Sequence, residues 1–207
     1  QTVFLDGMGS WMSTGPVGMF VAPIPKARTI NFDEKVGFTA QVSSWERISD
    51  KNLSPKVKVG ANYINSRMAQ IEATTNGYDT AIFMNNQGKV SEGPGSCLFI
   101  VRDDVLITPP LSASVLESIT RETIIELARE ELGMKVVERE VDRTELYICD
   151  EVFLTGSAME VTPIINVDGY IVGNGEFGNH SKNIFNLYLD VVRGNVEKYK
   201  KWLTPVY

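Results

Sequence analysis

Histidine is almost missing from this sequence: His180 is the only one among 207 residues. A metal centre built from several histidines is therefore excluded, and a Ser-His-Asp triad would have to be built on His180. It sits in Gly178-Asn179-His180-Ser181, just ahead of a helical pattern, where a surface loop or helix cap is the simpler role. Cysteine is scarce too. Cys97 and Cys149 stand alone with no CxxC spacing, and a chain of this length needs no covalent staple, so free thiols in a reducing, cytoplasmic setting are expected. No apolar run reaches the roughly eighteen residues of a membrane span, and the opening residues lack the basic-then-apolar pattern of a secretory leader. Positive charge is short as well. A formal net charge of -6 and a pI near 4.9 argue against a wide basic footprint for nucleic acid and leave room only for a local patch.

What is present is ordinary globular material, 43% hydrophobic and 22% charged. The length allows one large domain, or one and a half ordinary ones, around a sizeable core. Short β-like pieces, Val3–Leu5 and Met19–Val21, are separated by Gly-, Ser- and Pro-rich turns, and Pro23 to Lys35 reads as a crossing segment. Phe38–Val42 reads as a strand, followed by a polar stretch, Ser43–Lys58, with no clear period. From Gly60 the pattern is helical: Ile64, Met68 and Ile71 recur on one face until Gly77 stops it. Asp79–Met84 and Lys89–Glu92 read as a hairpin about Asn85–Gly88, and Cys97–Val101 with Val105–Thr108 as another. Thr120–Leu132 is a strong amphipathic helix ended by Gly133. Met134–Val141 and Glu151–Thr155 read as strands, with a short helix at Arg143–Tyr147 between them. Val161–Val172 is a hairpin turning at Asp168-Gly169, and a helix from Ser181 to about Arg193 follows. The class expected is α+β.

Three local features could carry chemistry, and each has a plainer reading. Lys58 precedes a helix start rich in small residues, and a free lysine amine can form an imine with a carbonyl cofactor. Taken alone it reads more simply as a solvated loop lysine, like Lys51 and Lys56. Ser118-Ile119-Thr120 opens the strong helix, where free amides and the dipole favour an anion; by itself this reads more simply as a plain N-cap with Glu122 in the first turn. Glu92-Gly93-Pro94-Gly95 and Thr155-Gly156-Ser157-Ala158 are glycine-rich strand exits that expose backbone amides, or simply turns.

Their order along the chain is more specific. Lys-x-Gly-x-Asn-Tyr at 58–63, Ser-Glu-Gly-x-Gly at 91–95, Leu-x-x-Ile-Thr-Arg at 116–121 and Gly-Ser-Ala-x-Glu-Val-Thr-Pro at 156–163 follow one another. This series resembles the fold-type IV pyridoxal-phosphate enzymes, and among them the branched-chain aminotransferases. Val42-Ser43-Ser44-Trp45, Tyr78-Asp79, Thr108-Pro109-Pro110 and Asp150-Glu151-Val152-Phe153 add to the likeness.

The resemblance implies pyridoxal 5'-phosphate as cofactor and transamination of leucine, isoleucine or valine with 2-oxoglutarate. Lys58 would be the catalytic lysine that holds the cofactor and moves the proton at the substrate α-carbon. Tyr63 would bond the phenolic oxygen and Glu92 would face the pyridine nitrogen. Leu116, Ser118, Ile119 and Thr120 would wrap the phosphate, joined by Gly156 and Ser157. The amides of Ser157 and Ala158 would receive the substrate carboxylate. A homodimer or larger homo-oligomer is implied; no nucleic acid, membrane or metal is.

Some positions depart from the family pattern: Pro94 and Cys97 follow the glutamate, Glu117 and Ser118 stand in the phosphate loop, and Ser157 replaces a threonine. Gln1–Leu5 reads as a strand already under way. The expectation is a shortened form lacking most of a small N-terminal domain, with residues 1–31 its last strands and linker and residues 32–207 the large cofactor domain. Rival readings are a D-amino-acid aminotransferase or aminodeoxychorismate lyase of the same fold, or an inactive cofactor-binding domain.

Overall fold

The structure, a computed structural model, describes residues 1–25, 27–33 and 35–205. Strands β1 (Thr2–Leu5) and β2 (Val17–Phe20) pair antiparallel as a separate two-stranded ribbon. The remaining strands build one eight-stranded sheet. They are β3 (Phe38–Glu46), β4 (Thr80–Met84), β5 (Cys97–Arg102), β6 (Val105–Thr108), β7 (Lys135–Glu138), β8 (Glu151–Gly156), β9 (Glu160–Val167) and β10 (Tyr170–Ile171). Their order is β4-β3-β9-β8-β5-β6-β7, with β10 paired to β9. The sheet is mixed: β3 runs parallel to β4 and β9, and β6 parallel to β7, while the other pairs are antiparallel.

β5, a near-continuous apolar run, and β8, with Val152–Leu154 between the buried polar Glu151 and Thr155, form the buried centre of the sheet, because both of their faces are covered. Alternate residues point to opposite sides. Phe99, Val101 and Phe153 join one core with helices α2 (Ile119–Glu130) and α3 (Asn179–Val192), through Ile124, Leu127, Ile184 and Leu189. Leu98, Ile100 and Leu154 join the core on the other side, with Val141 and with Leu146 of a short 3-10 helix (Arg143–Tyr147). The α+β class expected from the sequence is what forms.

Two expectations need correction. The helix begun at Gly60 is there as α1 (Asn62–Thr75), but its buried face is Asn62, Ser66, Ala69 and Ala73. Ile64, Met68 and Ile71 are 65%, 39% and 50% exposed and face away from the sheet. The reason is clearance: α1 lies on β3 and β4 against Ala81 and the bulky, fully buried Phe83, and only a stripe of small residues lets it approach so closely. The return of the hairpin at Lys89–Glu92 is held to β4 by a few bonds only, among them Phe83 N–H to the Glu92 carbonyl (2.8 Å) and Ser91 N–H to the Phe83 carbonyl (2.8 Å). It never becomes a regular strand, since Glu92 immediately enters a turn closed by Gly93 and Ser96.

Asp79 ties the start of β4 to β3. Its carboxylate accepts the Thr39 amide (2.7 Å) and hydroxyl (2.9 Å) and pairs with Lys35. Burial raises the pKa of this group, but Lys35 and Thr39 together outweigh burial and hold it below 3.8. A depressed carboxylate stabilises the fold above its ordinary value and stops doing so as pH falls through the folded one. Asp79→Asn should therefore cost about 1–2 kcal/mol at about pH 7 and less at about pH 3, measured by urea unfolding. Equal losses at both pH values would refute this.

Candidate active site

At one end of the sheet several chain segments close around a cavity of about 250 Å³. Each arrives for a local reason. Arg47 follows the end of β3, Lys58 closes the loop after it, and Asn62, Tyr63 and Ser66 lie on the first turns of α1. Glu92 comes from the hairpin return, Gly95 to Cys97 from the turn into β5, and Leu116 and Ser118 from the approach to α2. Thr155 to Ala158 exit β8. The two glycine-rich exits touch: a Cβ added at Gly156 would stand 3.2 Å from the Gly95 carbonyl oxygen, so a larger residue there would press the turns apart.

Of the residues singled out in the sequence, Lys58, Tyr63, Glu92, Leu116, Ser118, Gly156, Ser157 and Ala158 line this one cavity. Lys58 and Tyr63 are exposed, Glu92 and Gly156 buried. Ile119 and Thr120 do not line it; the Ile119 side chain is 86% exposed. What these two residues offer is backbone, since the first-turn amides of a helix have no partner within it. Ser118 caps that turn, its hydroxyl accepting the Arg121 amide at 3.3 Å. Arg121, next in the motif, is buried and spends its guanidinium on the Pro109 carbonyl (3.0 Å) and Glu138 (2.8 Å), away from the cavity.

Glu92 and Arg47 form the electrostatic centre. Both are buried, with Arg47 Nε 2.7 Å from Glu92 Oε1, and the Leu116 amide donates to Oε2 at 3.1 Å. Burial pushes the Glu92 carboxyl up to about 7, although Arg47 and the Leu116 amide pull the other way. A carboxyl poised there gains from any further cationic or N–H partner brought into the cavity. Cys97 lies beside it, and burial with the nearby Glu92 pushes its thiol up to about 12, so it contributes packing and no nucleophile. Both cysteines are free.

Arg47 and Asn62 are functional candidates that reading the sequence did not reveal. Arg47 falls in the aperiodic stretch after Val42, where nothing local marks a buried arginine; only its distant partner Glu92 does so. Asn62 stood in the Lys-x-Gly-x-Asn-Tyr run and could have been noticed there.

The arrangement joins an accessible amine, a phenol, a buried carboxyl of raised pKa and a helix start. Comparison with known proteins adds to this picture. The model of the amino-transferase class IV family matches residues 11–167. A probable branched-chain-amino-acid aminotransferase of Aquifex aeolicus is 47% identical over 175 residues, 84% of this chain and 56% of the relative. The structure is similar to that of the branched-chain amino acid aminotransferase of Thermobaculum terrenum in its PLP form. Here the TM-score is 0.83 at 48% identity, over 87% of this chain and 59% of that one. A branched-chain aminotransferase of Thermoproteus uzoniensis, solved with norvaline, gives a TM-score of 0.84 at 44% identity, covering 90% and 60%. The chain thus spans little more than half the length of these relatives.

Proposed function

Since the chain belongs to the amino-transferase class IV family, we propose that it holds pyridoxal 5'-phosphate on Lys58 and serves transamination between branched-chain L-amino acids and 2-oxoglutarate. One observation carries this reading: Lys58, Tyr63, Glu92, Ser118 and Ser157, far apart in sequence, line a single cavity. The donor set fits the group, with an amine for its carbonyl, a buried acid for its ring nitrogen and a helix start for its phosphate. When bound, the cofactor supplies the electron sink that stabilises a carbanion at the substrate α-carbon.

The chain's own residues do the rest. The Lys58 amine would hold the cofactor's carbonyl carbon and would serve as the base that moves the proton at the substrate α-carbon. Glu92 keeps a proton on the ring nitrogen, and Arg47 holds that carboxylate in place. Tyr63 donates to the phenolic oxygen. The amides of Ile119 and Thr120, with Leu116, Ser118, Gly156 and Ser157, embrace the phosphate. The amides of Ser157 and Ala158 receive the substrate carboxylate. Residues 1–31 belong, in this reading, to a smaller neighbouring domain and its linker, and residues 32–207 to the cofactor domain. The setting is cytoplasmic, in keeping with two buried free thiols. A homodimer or larger homo-oligomer is part of the proposal, supported by the apolar side chains left exposed on α1 and the β1–β2 ribbon; a monomeric mass in light scattering would refute it.

Incubation with pyridoxal phosphate, borohydride reduction and peptide mapping test the assignment. A single adduct at Lys58, lost in Lys58→Ala, is expected. An adduct absent from Lys58, or spread evenly over the lysines, would sink it. Spectral titration separates the substrate classes: L-leucine should change the absorption of the loaded protein, and D-alanine and aminodeoxychorismate should not. No response to L-leucine would remove the branched-chain assignment.

A further inference from the structure

Asn62 stands four residues after the proposed anchor lysine, and no role so far accounts for it. It is the first residue of α1, only 5% exposed, and it lines the cavity. Its amide nitrogen donates to two carbonyls of the preceding loop, Ser54 at 2.8 Å and Val57 at 2.8 Å. Because both partners are carbonyls, the side-chain nitrogen must face them, which fixes the orientation of the amide. The Val57 carbonyl belongs to the peptide unit that leads into Lys58, so holding it sets the plane from which Lys58 departs.

Little else holds that loop from inside. The Val57 amide reaches the Ser54 carbonyl at 3.4 Å, a long bond, and Val59 bonds back to Val57 at 3.0 Å. Lys56 pairs with Glu117, but on the exposed side. Asn62 is also a poorer helix former than alanine. A residue serving α1 alone would gain nothing from its amide there, and Ala61 ahead of it makes no side-chain cap either.

We propose that Asn62 is a positioning residue: through its two bonds to the Ser54 and Val57 carbonyls it clamps the 54–58 loop and so aims the Lys58 amine into the cavity. This rests on the reading of Lys58 as the cofactor anchor, but the clamp itself can be measured without the cofactor.

The test uses the full chain with Asn62→Asp, an isostere that turns an oxygen toward the two carbonyls, and Asn62→Ala, which removes the contact and favours the helix. Hydrogen exchange of peptides covering residues 54–60 is read without cofactor; the borohydride-fixed pyridoxal phosphate is then mapped over Lys51, Lys56 and Lys58. Loop exchange should quicken about tenfold, the worth of one or two hydrogen bonds, while β5 and β8 keep their protection. The share of adduct on Lys58 should fall about tenfold, matching the loosened loop. Wild-type exchange in the loop of both variants overturns the proposal. So does a quickened loop with an unchanged Lys58 share, and so does exchange that quickens across β5 and β8 as well, since Asn62 would then support the whole fold. If the wild-type protein itself gives no Lys58 adduct, the anchor reading fails, and with it the aiming of Lys58; the exchange data still decide the clamp.

Discussion

Arg47→Ala will destabilise the fold by about 3–5 kcal/mol at about pH 8 and by clearly less at about pH 5. The loss is large because it strands an acid. Glu92 is 3% exposed, and without Arg47 its carboxylate keeps, among the described residues, only the Leu116 amide as a hydrogen-bond partner. Arg47 also lies over the Phe83 ring, 5.7 Å from its centroid, and reaches Asn65 Oδ1 at 3.4 Å, so its removal opens packing too. The pH dependence follows from the raised carboxyl. A group whose folded pKa lies above its unfolded value stabilises fully below the unfolded value and stops doing so as pH rises through the folded one. For Glu92 that window runs from 4.5 to about 7. Removing Arg47 takes away a lowering influence, so the window extends upward and the penalty grows with pH. Urea unfolding at the two pH values measures it. Pairing the change with Glu92→Leu should recover much of the loss, because an apolar pair leaves no charge stranded. A loss under about 1 kcal/mol with no pH dependence would contradict the buried pair.

Gly178→Ala is expected to cost about 2–4 kcal/mol, although the backbone at this position suits any residue. Its φ of -63° and ψ of 155° are ordinary extended values. The obstacle is Glu151: a Cβ at Gly178 would stand 2.0 Å from its carboxyl carbon. Glu151 reaches from β8 to cap α3, accepting the His180 amide at 3.0 Å and the Ser181 amide at 2.7 Å, with the Ser181 hydroxyl on the same oxygen. Alanine must push that carboxylate away and free the first turn of α3, which packs Ile184 and Leu189 into the core. Combining Gly178→Ala with Glu151→Ala should add little to either change alone, since both break one contact. A loss below about 0.5 kcal/mol, or full additivity, would show that α3 does not depend on this cap.

His180 makes the same point from the other side. It lies in that cap and pairs through Nε2 with Asp104 at 3.0 Å, remote from the cavity. The scarcity of histidine excluded whole classes of chemistry, and the one histidine present is a surface residue at a helix start.

Much of the framework was legible in the chain. Apolar runs marked β5 and the middle of β8 because strands covered on both faces bury mostly apolar side chains; Glu151 and Thr155, buried at the ends of β8, spend their polar atoms on hydrogen bonds. Ser118 marked the start of α2 because its hydroxyl answers a first-turn amide, which is a local relation. The motifs around Lys58, Glu92, Ser118 and Ser157, taken in order, resembled one enzyme family before any geometry placed them together.

What the sequence determined by itself was therefore what neighbours along the chain decide: turns, caps, periodicity, and the excluded chemistries. Tertiary structure alone decided which surface of α1 is inside, since period locates two stripes, Ile64-Met68-Ile71 and Asn62-Ser66-Ala69-Ala73, and only clearance over Phe83 chooses between them. It alone paired Arg47 with Glu92 across 45 positions and Glu151 with the start of α3. Burial and the raised carboxyl that follows from it belong to surroundings assembled from distant segments, and no single segment carries a record of them.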